Sequence, residues 1–565
     1  MTAGLVYADG RTIQPRDIAR ARMGAVLAGS NPSAFAYDAQ QVTSQEMASW
    51  LPWLRSPDGE INNVRDRVVA RARDLIRNDG YAAGAINRLL DAAVGAQFHP
   101  IPKPNWRALQ RYCPALDSTW AMEVAAAVRS EYQLWADDPA KHCDAERTQT
   151  VQQMLRLSFR HKMVDGDGMI VALWAPDHVG SGGARYATQL QVVDPDRLSN
   201  PFQKMDTHSQ RGGVEIDDLG APLGYHIRRA HQNDWYDAGQ SMVWDYFPRE
   251  TPWGRPIVVH DFDRERASQH RGNGLLTAVL SRFKMLTKFD SVTLQAAVLR
   301  TLVGFFVKSP YDAEQIRMAM EAGDDSEAQL APSYYQGLRE EWHRGNGVTM
   351  GGVRMPVMAP GESIETISGG EHATDFDSFQ GAFLRSFAAS TGQSVEEISV
   401  DFRKVNYSSF RGAMLQSWRT LIRRRKDFAM NTATPIYGAW LEEALSTHLS
   451  GLLPRNAPPF MDIRAAYIAC EWIGPGRGWV DPVKEPQGEV LKLDAAMGTL
   501  AETTANISGR YWLDILDERQ VEEAAMRDRG LQLPNWAGGE PANQVASKPS
   551  AVESEDIMDR LEETV

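Results

Sequence analysis

The spacing of apolar residues changes period twice along this chain, and that change restricts the fold more than any other feature. From 61 to 94, Val64, Val68, Leu75, Ile76, Ile86, Leu89 and Leu90 recur at three- and four-residue steps, which predicts helices buried on one face. Asn78-Asp79-Gly80 breaks the pattern and suits a turn between two helices. Further helices are expected over 118–135, with Trp120, Val124, Val128 and Trp135, and over 150–163. Asp165-Gly166-Asp167-Gly168 then turns the chain into a strand over 169–174. The period becomes that of strands in "TQLQVVDPDRLSNP", "GGVEIDDLGAPLGYHIRR" and "RPIVVHDF", the second a hairpin turning near 217–220. Beyond Gly274 the helical period returns in Leu276, Val279, Leu280, Phe283, Leu286, Phe289 and Val292. The fold class predicted is α+β, mainly helical.

With 565 residues the chain is long enough for two or more compact units. Its net charge of −13 excludes a protein that grips nucleic acid over its whole surface, because phosphate neutralisation needs clustered cations. It leaves room for one local basic contact. Three cysteines, Cys113, Cys143 and Cys470, are too few and too scattered for a disulfide framework or a zinc knuckle. No signal-peptide layout is present, and no run of about 18 apolar residues predicts a membrane span.

Motifs of bond chemistry are missing. No Gly-Lys dipeptide occurs, so there is no P-loop. The Gly-rich "HVGSGGARY" reads as a surface loop. Asp165 and Asp167 lack the further oxygens of a calcium loop and read as a plain turn. His142-Cys143-Asp144 and His161 match no metal spacing and carry no partnered base. No catalytic residue, metal or cofactor is therefore assigned.

The second half holds the densest basic cluster. Residues 311–344 read as mostly helical, and "NGVTMGGVRMPVMAPGESIETIS" as a small strand-and-turn unit. A helix follows, capped by Thr374, striped by Phe376, Phe379, Phe383 and Phe387 and stopped by Gly392. Ser394 with Glu397 opens a short helix leading into "VDFRKVNYSSFRGAMLQSWRTLIRRRKDF". There Arg403 and Lys404 lie in a loop. Asn406 tolerates unusual backbone angles, and Ser408 or Ser409 can cap the helix behind it. That helix places Met414, Trp418, Leu421 and Phe428 at helical steps opposite its basic face, and Thr434-Pro435 is expected to start another. Beyond Pro482 the chain is acidic and helical to Gly530, and after Trp536 its composition is that of a disordered tail. The tetrad Arg423-Arg424-Arg425-Lys426 is either a solvated face or a salt-bridge partner for a neighbouring subunit, and Phe379 with Phe383 either core or a subunit contact.

Taken in order, several segments resemble the lambda-type family of phage portal proteins: "RARDLIRNDGYAAGAINRLLDAAVGAQFHPIP", "WADDPAKHCDAE", "DGDGMIVALW", "VVHDFDRERASQHRGNGLLTAVL", "STGQSVEEISVDFRKVNYSSFRGAMLQSWR" and "GPGRGWVDPVKEPQGEV". The resemblance runs over residues 20–535. It departs at Gly168-Met169, where the family shows Gly-Glu, and at Gln393-Ser394-Val395, where it shows a Gly-aromatic element.

The resemblance implies a homo-oligomeric ring of about twelve copies at one vertex of the capsid. Double-stranded DNA would be packaged and ejected through its channel. Implied partners are the large terminase subunit, the major capsid protein and scaffold, and head-completion or adaptor proteins, with no membrane; assembly would occur in the host cytoplasm. The implied portal fold has an arm and wing over 1–310, a stem helix over 311–345, a clip over 346–370 and a second stem helix over 371–397. A tunnel loop covers 398–408, a long wing helix and more wing 409–480, a crown 481–536 and an acidic tail 537–565. On this mapping Arg403, Lys404, Asn406, Tyr407 and Ser408 meet DNA, and Arg423, Arg424, Arg425, Lys426, Phe379 and Phe383 meet the adjacent subunit. Two rivals remain: a metal-dependent DNA-processing enzyme, such as a nuclease or terminase subunit, and a different structural connector of the virion.

Overall fold

A computed structural model describes residues 49–301, 306–308, 347–350, 353–356, 363–365 and 376–533, save 404 and 480, together with the isolated positions 16 and 341. Local capping chemistry sets most helix boundaries. The short α1, Pro57–Ile61, starts with proline behind the hydroxyl of Ser56, which accepts from the Gly59 amide. Asp79 alone separates α2, Arg65–Asn78, from α3, Gly80–Ala93, and its carboxylate accepts from the Ala82 amide at 2.9 Å. Strand β1, His99–Pro102, follows, then α4, Ser118–Ala136, capped by Asp117. A reciprocal capping box of Thr150 and Gln153 opens α5, Val151–Asp165. Gly166 closes it at φ 94°, the left-handed position that favours glycine.

The β-rich block forms two antiparallel sheets. In the first, β2, Asp167–Trp174, lies between β3, Thr188–Val192, and β8, Val258–Phe262. The second runs in sequence order through β4, Gln210–Arg211, β5, Val214–Ile216, β6, Pro222–Arg228, and β7, Trp244–Pro248. The expected hairpin turn is present, with Gly220 at φ 85° and its amide donating to the Asp217 carbonyl.

Helix α6, Leu280–Thr301, leads to β9, Phe306–Lys308, then to a hairpin of β10, Gly347–Met350, and β11, Val353–Pro356, and to β12, Ser363–Glu365, which pairs with β9. The chain returns as α7, Phe376–Thr391, which packs antiparallel along α6. Phe387 meets Phe283 at 4.6 Å and Phe379 meets Phe289 at 4.4 Å. The helix expected over 311–345 lies outside the described residues apart from 341, as do Thr374 and everything after 533. The partner of α7 is thus α6; periodicity had marked both stretches as helical but could not say which one returns along the Phe stripe.

Next come α8, Val395–Ser399, α9, Tyr407–Phe428, and α10, Thr434–Ser446. Here the structure corrects an expectation: Thr434 does not cap a new helix. The path runs unbroken from α9 through a π-turn over Ala429–Ala433, and the Thr434 amide bonds the Ala429 carbonyl five residues back. The following Pro435 has no amide to give, so the wider turn absorbs the interruption. The Thr434 hydroxyl instead accepts from the Trp472 indole at 3.0 Å. Strand β13, Cys470–Ile473, pairs with β1, and α11, Lys484–Asp494, α12, Leu500–Ile507, and α13, Trp512–Asp528, end the described chain.

Two cores hold these elements. The main one gathers the helices around Tyr132, Trp135, Tyr437 and Trp440, with Trp135 stacked on Trp440 at 5.8 Å. A smaller one lies between the sheets, built from Met169, Val171, Val214, Tyr225, Ile227 and Val258. No helix among the described residues is long and apolar enough to cross a membrane.

Candidate nucleic-acid interface

The loop between α8 and α9 is fixed at both ends. Ser394 and Glu397 form the expected capping box on α8, at 3.2 and 2.8 Å. Val400 ends that helix at φ 56°, a left-handed conformation that costs a β-branched residue energy. At the far end Asn406 has extended angles, and its side chain accepts the Ser409 amide at 2.8 Å. Two expectations change here. Asn406 is the cap itself, because its carbonyl stands where a helix start needs an acceptor. The unusual angle belongs to Val400, and Ser408 sits exposed in the first turn of α9.

Between these ends Arg403 projects 78% exposed. Its guanidinium forks onto Asp401, Nε to Oδ1 at 2.9 Å and Nη2 to Oδ2 at 2.8 Å. Phe402 packs edge-on against Phe410 at 5.4 Å and stiffens the base of the loop. Lys404 lies outside the described residues, as does the side chain of Tyr407, which opens α9. The start of α9 carries the positive end of the helix dipole, so the field there favours an anion.

The basic tetrad at the other end of α9 does not act as one cluster. Successive residues on a helix point about 100° apart. Arg423 and Lys426 are exposed, Arg423 pairing with Asp427 at 2.9 Å. Arg424 reaches the Thr391 carbonyl at the end of α7 at 2.7 Å, and burial lowers its pKa. Arg425 is only 8% exposed; it donates to the carbonyls of Ala93 at 3.0 Å, Ala92 at 2.6 Å and Pro475 at 2.7 Å and lies over the Trp418 ring. Its burial pulls its pKa down to about 10. Arg424 and Arg425 are therefore engaged within their own chain. The Phe pair divides too: Phe383 is half-buried beside Phe379, whose ring packs on Phe289 yet remains exposed at the edge of the helix pair.

Residues not singled out by sequence hold the last three helices in place. Glu485, its side chain 3% exposed, lies 3.6 Å from Arg411 on α9 and 3.3 Å from Arg477. Arg129 on α4 pairs with Asp514 and lies 4.6 Å over the Tyr511 ring. Charge pattern alone gave no hint of which distant carboxylate each arginine would meet.

The Asp-Gly-Asp-Gly turn is an anchor of the fold. Asp165 takes Arg73 and His161, and Asp167 takes Arg65, Arg271 and His260. Burial would raise the Asp167 carboxyl, but the charges of Arg271 and Arg65 outweigh it and hold it well below the usual range. Among the described residues His161, Asp165 and Asp194 converge closely enough to hold a cation, but Arg73 already donates to both carboxylates, at 2.8 and 2.9 Å. Cys143 is buried and its thiol pushed up to about 12 by that burial, far from a nucleophile's range.

Residues 43–425 match the family model described as phage portal protein, lambda family. The chain belongs to that family. Its sequence is 30% identical over 511 residues to the portal protein of Escherichia phage N15, covering 90% of this chain and 93% of that one. It is 29% identical over 492 residues to portal protein B of Escherichia phage lambda, covering 87% and 90%. Among solved structures, a chain from the neck of an empty gene transfer agent particle aligns with TM-score 0.39 and 14% identity over 77% of this portal-family chain and 92% of its own.

Proposed function

We propose that copies of this portal-family chain close into a ring of about twelve at one capsid vertex, with double-stranded DNA passing through the centre. In this reading the chain performs no bond chemistry; a large terminase subunit supplies the motor, and the major capsid protein, scaffold and head-completion or adaptor proteins dock around the ring. Helices α6 and α7 form the stem, which places the first stem helix at 280–301 instead of 311–345. Helices α11 to α13 form the crown, and the ring resides in the virion after assembly in the host cytoplasm.

The observation that carries this reading is the 400–406 loop, clamped by two capped helices and presenting Arg403 at its tip. An exposed ion pair such as Arg403–Asp401 is worth about 1 kcal/mol or less, so a passing phosphate can take the guanidinium in exchange. Many tight phosphate contacts would hold a duplex still, whereas one belt of exchangeable cations on an acidic protein touches it transiently. The test is packaging by an Arg403→Ala, Lys404→Ala double variant. Reduced packaging or retention of DNA is expected; unchanged packaging by intact rings removes the role of these residues.

A further inference from the structure

A cleft of about 290 Å³ opens between the two sheets and the π-turn, with Asn431 at its edge. Its walls are apolar at Tyr225, Val258 and Phe262 and basic at Arg249, Arg264 and Arg464. Arg464 gives one N–H to the Gly254 carbonyl, and Arg264 lies 5.8 Å over the Phe262 ring. Among the described residues none of these three arginines joins an ion pair. Glu250 is the carboxylate on the rim, and the two histidines there already face Asp167 and Asp58. A recess that is partly apolar and partly cationic suits an acidic amphipathic peptide better than a duplex, whose phosphates need a broad basic surface without apolar walls.

The sequence supplies such a peptide. Residues 551–565 carry Glu553, Glu555, Asp556, Asp559, Glu562 and Glu563 against the single Arg560, with Ile557, Met558 and Leu561 at helical spacing. The linker 534–550 can extend to about 55 Å, long enough to carry the acidic segment well away from the end of α13. We propose that the cleft binds residues 551–565 of its own chain, the acidic side chains on the three arginines and the apolar ones against Tyr225 and Phe262.

Hydrogen exchange on the full-length protein tests this without assuming a ring, and particle mass recorded alongside keeps assembly failure separate. The amides of 551–565 should exchange about tenfold more slowly in the wild type than in an Arg249→Glu, Arg264→Glu variant. A Glu555→Lys, Asp559→Lys variant, whose changes lie in the tail and leave the body intact, should lose the same protection and also expose the 249–264 rim. Unprotected exchange of the tail in the wild type overturns the proposal. So does a rim that ignores the tail changes but becomes protected on adding a short duplex, which would make the cleft a nucleic-acid site.

Discussion

Arg425 on α9 donates its Nε–H to the carbonyl oxygen of Ala93, 332 positions earlier in the chain, at 3.0 Å. Ala92 and Ala93 end α3, where the carbonyls carry the negative end of the helix dipole, and Pro475 offers a third carbonyl to the same guanidinium. The Pro475 segment continues to α12, since the Arg477 amide donates to the Asn506 carbonyl. One buried cation thus joins α9, the helix pair α2–α3 and the segment that leads to α12.

Replacing Arg425 with Met strands these carbonyls, each costing about 1–3 kcal/mol if left without a donor. Because water or relaxation satisfies some of them, a loss of about 3 kcal/mol is expected, read as a lower urea midpoint. Arg425→Lys should recover part of it, because an ammonium cannot fork to the same set of acceptors. A midpoint equal to the wild type contradicts the assignment.

The clasp between α1 and the hairpin turn depends on pH. His270 meets Asp58 through Nδ1 at 2.8 Å and the Gly220 carbonyl through Nε2 at 3.1 Å. A carboxylate and a carbonyl both accept, so this arrangement favours the doubly protonated ring. The hydrogen bond to Asp58 raises the His270 pKa, against burial and the charge of Arg264. A raised folded pKa gives stability that is full below the unfolded value of about 6.5 and is lost as pH rises through the folded value. Unfolding midpoints should fall as pH rises above about 6.5 in the wild type and change less in Asp58→Asn. Equal slopes for the two proteins would remove His270 as the cause.

Several helix boundaries were legible because their causes are local, though the starts at Asn406 and Thr434 were misread. Asp79, the Thr150–Gln153 pair and the Ser394–Glu397 pair each sit within a few residues of the amides they cap. Long-range partners were not. The Phe stripe on α7 announced a buried face but not that Phe283 and Phe289 of α6 would meet it. Four basic residues in a row looked like a surface, and only the elements packed around α9 decide that Arg424 and Arg425 turn inward. Val400 gave no warning at all, since valine is among the residues least suited to a positive φ, and the strain there is imposed by the structure around it.

Arg423 and Lys426 remain outward on α9, and the weak exposed pair of Arg423 with Asp427 leaves that face able to meet an acidic neighbour. Reversing both charges should leave the circular dichroism of the protomer unchanged and reduce assembly into rings. Rings that form as readily as the wild type rule out this contact.

The central claim is that the chain works only as a closed annulus. Particle mass combined with negative-stain imaging of the purified protein measures this directly. A ring of about twelve chains of 62.9 kDa should give a particle of roughly 750 kDa with an axial hole. Lone protomers under every condition tried, or nucleotide turnover by the protein unaided, would contradict it.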